Sequence, residues 1–165
     1  MYSTMTYNTS PKAIRHKYLS TALIAYTLVV FAAFFFFRLI YSPTLWQGAS
    51  VKEYVHEFSN IIPFYTVIVA INTNSHNLLL TLLAHLLVGV FPGYAVVLLC
   101  PTLFTNRRSR LKLYSIILCG LILFYCVRVL LKCGSFDIDD VLMDMLGLWG
   151  GIKVGLMRHS AKKTA

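Results

Sequence analysis

The chain has 165 residues, of which 58% are hydrophobic and only 13% are charged. Soluble globular domains carry about 25% charged residues, so this composition excludes an ordinary soluble domain and favours one small membrane domain. The formal net charge of +9 is compatible with nucleic-acid binding. In a membrane protein, however, positive charge is first interpreted as a signal of which side of the membrane each loop faces.

Four apolar runs are long enough to cross a bilayer. About 20 helical residues, at about 1.5 Å each, span a hydrocarbon core of ~30 Å. The runs cover residues 19–41, 78–100, 111–131 and 138–157. The sequence therefore predicts an all-α, polytopic membrane protein with four transmembrane helices.

Between the first two predicted spans lies a segment, residues 54–71, whose apolar run covers only the 11 residues 61–71. This run is too short for a further span, and Pro63 interrupts it. We therefore predict a short re-entrant or interfacial helix after the first span. The membrane domain is expected to cover residues 19–157, between basic cytoplasmic tails at 1–18 and 158–165.

The distribution of charge predicts the orientation. With four spans, the basic N-terminal tail, the basic loop 107–112 and the basic C-terminal tail share one side, and all six acidic residues lie towards the other. The positive-inside rule places the basic side in the cytoplasm. We therefore expect a multi-pass protein with both termini cytoplasmic. Orientation accounts for the positive charge, so no nucleic-acid partner is predicted.

Ionisable residues within the spans are candidate functional residues, because each costs about 2.5–3.5 kcal/mol at mid-membrane. Arg38, His85, Arg128 and Asp144 all lie in the outer halves of their spans. With Asp140 they predict an outward-facing pocket, in which the arginines hold an anionic head group and Asp144 and His85 balance charge or move a proton. Alternatively, the arginines snorkel to the interface and His85 is a hydrogen-bonded interior residue. Asp144 is too short to snorkel, so it must be protonated, hydrated or paired with a cation.

Glycines at four-residue spacing occur on the second and last predicted spans. Such spacing lets two helix backbones approach closely. A contact between these two spans would bring His85 near Asp144, although the same pattern also arises by chance. The glycines are Gly89 and Gly93 on the second span, and Gly147, Gly151 and Gly155 on the last.

Three aspartates precede or begin the last predicted span: Asp137, Asp139 and Asp140. Asp137 fits a helix N-cap, and acids in the first turn complement the helix dipole. Carboxylates are also ligands for Ca²⁺ or Mg²⁺, but the spacing of an EF-hand loop is missing. We predict no metal site and no cofactor.

Three segments resemble the VanZ-like family of integral membrane proteins: a Ser-Phe-Asp-x-Asp-Asp turn into the last helix, an Asn-x-x-Pro-Phe segment after the first, and Phe91-Pro92-Gly93. The chain departs from the family pattern at Asp144 and Gly134, where the family has Asn and Arg, and at Tyr125 and Arg128, which fall on a Glu-x-x-Gln. The residues that carry the resemblance are Asn60, Pro63, Phe64, Ser135, Phe136, Asp137, Asp139, Asp140, Gly147 and Gly151.

The resemblance implies a protein of the bacterial cytoplasmic membrane that lowers sensitivity to the glycopeptide teicoplanin. We expect it to bind an anionic membrane lipid or a lipid-linked cell-wall precursor. One alternative is a membrane enzyme or carrier acting on a polyprenyl-phosphate lipid. Another is a structural subunit that uses its glycine faces to bind a second copy or another membrane protein. Because Gly-x-Ser-x-Gly and His-Glu-x-x-His motifs are missing, the sequence argues against an enzyme.

Overall fold

The computed structural model describes residues 11–41, 48 and 50–164, without the side chains of residues 11–13, 15, 31, 34–41, 159 and 161–164. This part of the chain is mostly helical, as predicted. Its α-helices are α1 (Pro11–Tyr41), α2 (Val51–Glu57), α3 (Tyr65–Asn72), α4 (His76–Leu99), α5 (Arg107–Leu130) and α6 (Ile138–Thr164). Strands β1 (Ser59–Asn60) and β2 (Phe136–Asp137) form a two-stranded parallel sheet, and a 3-10 helix (Pro101–Phe104) joins α4 to α5.

Each predicted span coincides with one of the long helices α1, α4, α5 and α6. Two helices of the described part, α4 and α5, are long and apolar enough to cross a membrane. The crossing of α1 and α6 stays a prediction. Helices α1 and α6 also extend into the segments expected to be tails, since residues 11–18 and 158–164 are helical. Lysine and arginine are good helix formers, so these helices continue where the apolar run stops.

The segment 54–71 is not the single short helix that the sequence predicts. Two helices, α2 and α3, flank β1 and a turn. Pro63 lies in this turn and cannot donate a helical hydrogen bond, and Phe64 adopts a left-handed backbone conformation with φ of 65°.

A capping box starts α2. The side chain of Ser50 accepts from the backbone N–H of Glu53, and the backbone N–H of Ser50 donates to the carboxylate of Glu53 at 2.8 Å. This second hydrogen bond holds the pKa of Glu53 below its ordinary value. Both helix-start donors are therefore satisfied within four residues of sequence, which explains where α2 begins.

Helices α4 and α6 pack backbone to backbone along most of their length. A Cβ atom built on Gly147 would overlap the carbonyl oxygen of Leu86, and one built on Gly151 would overlap that of Val90. Gly89 and Gly93 pack in the same way against α6, on Asp144 and Leu148. Below this contact the side chains of Val97, Phe104, Leu148 and Ile152 form a buried cluster. The spaced glycines therefore act within the chain, between α4 and α6.

Pro92 lies inside α4 and cannot bond the carbonyl oxygen of Val88, its partner four residues earlier. The hydroxyl of Tyr26 in α1 donates to that oxygen at 2.7 Å. The ring of Tyr26 also contacts Phe91, with 4.8 Å between ring centroids. The proline thus leaves the carbonyl oxygen of Val88 free to accept the hydrogen bond that attaches α1 to α4.

Candidate functional site

A buried polar network joins α4, α5 and α6 next to the glycine contact. The hydroxyl of Tyr125 donates to Oδ2 of Asp144 at 2.8 Å. Nδ1 of His85 lies 3.2 Å from Oδ1 of Asp144 and 3.0 Å from the Tyr125 oxygen. Nε2 of His85 lies 3.4 Å from Oδ2 of Asp140. The close contact through the glycines makes this network possible, because it brings α4 and α6 together beside the two polar residues. His85 precedes Gly89 by about one turn, and Asp144 precedes Gly147 by about one turn.

The imidazole of His85 is held between two carboxylates. Each ring nitrogen faces a carboxylate oxygen, and a ring that carries both protons donates to both. Asp144 and Asp140 are 6% and 8% exposed, and His85 is 4% exposed. Ionisable groups buried in this way need hydrogen-bonding or ionic partners. The network supplies such partners to His85, Asp140 and Asp144, which the sequence places within apolar helices.

Arg128 packs against the same network from α5. Its guanidinium carbon lies 5.3 Å from the centroid of the Tyr125 ring and 5.7 Å from that of Phe124. A Cβ atom built on Gly134 would lie 2.6 Å from Nε of Arg128. The guanidinium therefore occupies the space that a side chain at position 134 would need. Arg128 is 7% exposed, so its side chain is buried against these residues.

A second polar cluster joins β1, β2 and the start of α3. Thr66 donates its hydroxyl to Asp137, and the side-chain amide of Asn60 donates to Asp137 at 3.1 Å. Asp137 also accepts from the backbone N–H of Asp139 at 2.9 Å, as expected for the N-cap of α6. The cluster brings together residues that are more than 70 positions apart in the chain.

The carboxylate of Asp139 caps α3. It accepts the backbone N–H groups of Thr66 at 2.8 Å and Val67 at 3.3 Å, and that of Phe64. Phe64, the residue at the N-cap position, makes no side-chain cap hydrogen bond of its own. Asp139 is fully buried, so a helix start that lacks a local cap is completed by a residue of α6.

Asp139→Ala is expected to loosen α3, because three backbone N–H donors lose their acceptor. We expect a loss of about 2 kcal/mol in the stability of this helix start. Hydrogen exchange at the amides of Thr66 and Val67 should accelerate about 30-fold, while the amides of α4 and α5 keep their rates. Asp139→Asn keeps one acceptor oxygen and serves as the intermediate control. Unchanged exchange at both amides in Asp139→Ala would contradict the capping role.

The predicted ligand residues come together only in part. His85, Arg128, Asp140 and Asp144 form one cluster, whereas the side chain of Arg38 lies outside the described part of the chain. The four described residues lie close to one another and are buried, and the outward-facing pocket stays a prediction.

Tyr125 was missed as a member of the site. It is 1% exposed and supplies the hydrogen-bond donor for Asp144. One signal was available, because Tyr125 and Arg128 are three residues apart and therefore share a helix face. A buried carboxylate on one helix needs a donor on its neighbour, and Tyr125 is a donor at the matching depth.

Beside the network lies an apolar cleft of about 430 Å³. Helices α4 and α6 form its floor, and α1 and α5 contribute the flanking side chains. Of its described lining residues, Asp144 alone carries a carboxylate. They are Tyr26, Thr27, Val30, Val88, Gly89, Pro92, Val96, Ile117, Leu121, Phe124, Asp144 and Leu148. The cleft therefore suits an apolar ligand that ends near the polar network.

In the described residues, no group of three His, Cys, Asp or Glu side chains is arranged to hold a metal ion. The three aspartates considered for Ca²⁺ or Mg²⁺ have separate partners. Asp137 binds Asn60 and Thr66, Asp139 caps α3, and Asp140 faces His85.

No family model matches the chain, and no curated protein or solved structure does. The similarity to the VanZ-like family thus rests on the residues alone. The four positions that depart from that family's pattern form two contacting pairs: Tyr125 bonds Asp144, and Arg128 packs on Gly134.

Proposed function

We propose that the protein is a four-span membrane protein that binds a lipid by its hydrocarbon chain in the apolar cleft. The observation that carries this proposal is the cleft itself, whose volume lies within the usual range for ligand sites of about 300–1,000 Å³. Its lining is almost entirely apolar, and it lies among the long helices rather than at a loop. A hydrocarbon chain is the ligand that such a lining accepts best.

The exposed surface supports placement in a membrane. Large apolar side chains face outward on all four long helices, and in water a continuous belt of this kind would be costly. Among the most exposed are Ile24, Leu28 and Val29 of α1, Leu80 and Leu87 of α4, Ile116 and Leu123 of α5, and Trp149 and Met157 of α6. With all four helices crossing, the basic ends of α1, α5 and α6 share the cytoplasmic side, as the positive-inside rule requires.

The proposal does not depend on the charge of the lipid head group. Arg128, predicted to hold an anionic group, packs on Tyr125 and against Gly134 and does not line the cleft. An anionic lipid and a lipid-linked cell-wall precursor both carry a suitable apolar chain. The head group would lie at the outer end of the cleft, near Asp144 and the α5–α6 turn.

The geometry favours this proposal over the two alternatives. An acid–base enzyme needs a group that is free to exchange a proton with its substrate. Both nitrogens of His85 already face carboxylates, and Asp144, which lines the cleft, already accepts a hydrogen bond from Tyr125. A subunit that associates through its spaced glycines needs them on its surface, but Gly89, Gly93, Gly147, Gly151 and Gly155 are all buried between α4 and α6.

Leu121→Trp is expected to fill the cleft and reduce lipid retention at least fivefold, because the larger ring occupies the volume of the chain. Leu123→Trp, the control, makes the same change two residues later on α5, where the side chain is 65% exposed and outside the cleft lining. Native mass spectrometry of gently extracted protein measures the lipid bound per chain. A second variant, Val30→Trp, narrows the cleft from α1 and should act like Leu121→Trp.

Equal lipid retention in Leu121→Trp and Leu123→Trp, with both proteins folded, would contradict the cleft as the binding site. The resemblance to the VanZ-like family adds a second readout for the same pair. Expressed in a teicoplanin-sensitive bacterium, the wild-type chain and Leu123→Trp should raise the inhibitory concentration of teicoplanin, and Leu121→Trp should not.

A further inference from the structure

A second pocket lies between the first turns of α5 and the middle of α6, away from the buried network. Its volume is about 280 Å³, and the first turns of α5 form one wall. Arg107, Arg110 and Tyr114 of α5 face Trp149 and Lys153 of α6 across it. In the four-span arrangement this pocket lies on the cytoplasmic side of the apolar cleft, and the two share no described lining residue.

The pocket is strongly basic. It gathers three cationic side chains, those of Arg107, Arg110 and Lys153. None of the residues described as lining it is acidic, since the six acids of the chain lie in α2 and in residues 137–144. Three cations within one small pocket repel one another unless an anion joins them. The charge therefore favours an anionic ligand over a neutral or cationic one.

Arg110 gives a second, independent indication. Its Nε atom is buried and has no hydrogen-bond partner among the described residues. Buried side-chain donors are nearly always paired, so an unpaired one calls for an acceptor. A guanidinium presents its N–H groups as a planar fork that matches two oxygens of one phosphate group. An oxyanion in the pocket would supply the acceptor that Arg110 lacks.

The other walls suit the apolar part of an amphiphile. Ile152 is buried at the floor, and Trp149 is 51% exposed. The Nζ atom of Lys153 lies 5.4 Å from the Trp149 ring centroid, so the ammonium is held at the rim. A tryptophan beside lysine and arginine is typical of a membrane–water interface, where an aromatic ring contacts the upper part of an acyl chain.

We propose that this pocket binds the phosphate of an anionic phospholipid of the cytoplasmic leaflet, with Arg110 and Lys153 contacting the phosphate oxygens. Basic pockets between transmembrane helices on this side are suited to anionic head groups. The proposal requires the membrane placement of α5 and α6 given under the proposed function. It does not depend on what the apolar cleft binds.

The test measures phospholipid retention by the full chain in nanodiscs of phosphatidylglycerol and phosphatidylcholine. Wild type is expected to retain phosphatidylglycerol preferentially, and Arg110→Gln to weaken that preference about tenfold, since a charge-assisted bidentate contact is lost. Lys153→Gln should act in the same direction. The matched control is Arg108→Gln, which removes an equal charge from an exposed residue of the same turn that does not line the pocket.

Equal losses in Arg108→Gln and Arg110→Gln would overturn the proposal, because they would indicate diffuse attraction of the whole basic loop. Retention of phosphatidylcholine equal to that of phosphatidylglycerol would overturn it as well. A separate arm adds inorganic phosphate. Displacement of the lipid by low millimolar phosphate would identify a soluble anion as the ligand and contradict the lipid assignment, whereas unchanged retention supports it.

Different experimental results would contradict the proposed function. If the wild-type chain is released from membranes by alkaline carbonate, the membrane placement is wrong and both proposals fall together. If Leu121→Trp retains its cleft lipid while Arg110→Gln loses phosphatidylglycerol, only the cleft proposal fails. The two sites are thus separated by variants on opposite halves of α5.

Discussion

Gly151→Ala is expected to disrupt the packing of α4 on α6, with a loss of at least about 3 kcal/mol in the free energy of unfolding. The added methyl group would overlap the carbonyl oxygen of Val90 and lie 2.9 Å from the backbone nitrogen of Tyr94. Backbone atoms cannot turn aside as a side chain can, so the two helices must separate. Thermal unfolding in detergent measures the loss.

The control for this change is Gly150→Ala. A Cβ atom on Gly150 meets nothing within 4 Å, although this residue comes immediately before Gly151 in α6. Alanine favours a helix over glycine by about 1 kcal/mol, so Gly150→Ala should leave stability unchanged or raise it. If the two variants unfolded at the same temperature, the close approach of α4 and α6 through Gly151 would be wrong.

Asp144→Leu is expected to cost about 3 kcal/mol of stability, because His85 and Tyr125 then lose their shared acceptor in a buried site. Asp144→Asn keeps an acceptor oxygen and a similar volume, so its cost should be about 1 kcal/mol. The free energy of unfolding in detergent or bicelles gives both values. The difference in unfolding free energy between the two variants separates the contribution of the polar acceptor from that of the side-chain volume.

A double-mutant cycle tests whether the network acts as a unit. Tyr125→Phe removes the hydroxyl that donates to Asp144 and keeps the ring that packs under Arg128. If the hydrogen bond is present, Tyr125→Phe should cost about 1 kcal/mol in wild type and much less in Asp144→Leu. Additive losses, within about 0.5 kcal/mol, would contradict a direct bond between the two side chains.

The four long helices follow from local properties of the sequence. A helix across a hydrocarbon core needs only length and apolar composition, because every backbone hydrogen bond is made within the segment. The shared helix face of the spaced glycines could also be predicted from the sequence, since four-residue spacing places them on one side of a helix. That α4 and α6 are the partners could be expected only because both carried such a face, with His85 and Asp144 at matching depths.

The segment between the first two long helices could be predicted only in part from nearby residues. The start of α2 follows from local sequence, because Ser50 and Glu53 cap this helix within four residues of sequence. The start of α3 does not, because its cap is the carboxylate of Asp139, in α6. A prediction from nearby residues therefore merged two helices into one. The strand pair between β1 and β2 depends on equally distant residues.

The sequence by itself determined that the protein is helical, where its long helices lie, and that His85 and Asp144 are polar groups in need of partners. Only the tertiary structure decided what those partners are. The rotation of α5 about its own axis turns Tyr125 towards Asp144 and Arg128 towards Gly134. That rotation follows from packing against α6 and β2, and packing is a property of surfaces brought together by folding. The same contacts give His85, Asp140 and Asp144 partners from neighbouring helices, because buried polar groups are nearly always hydrogen-bonded.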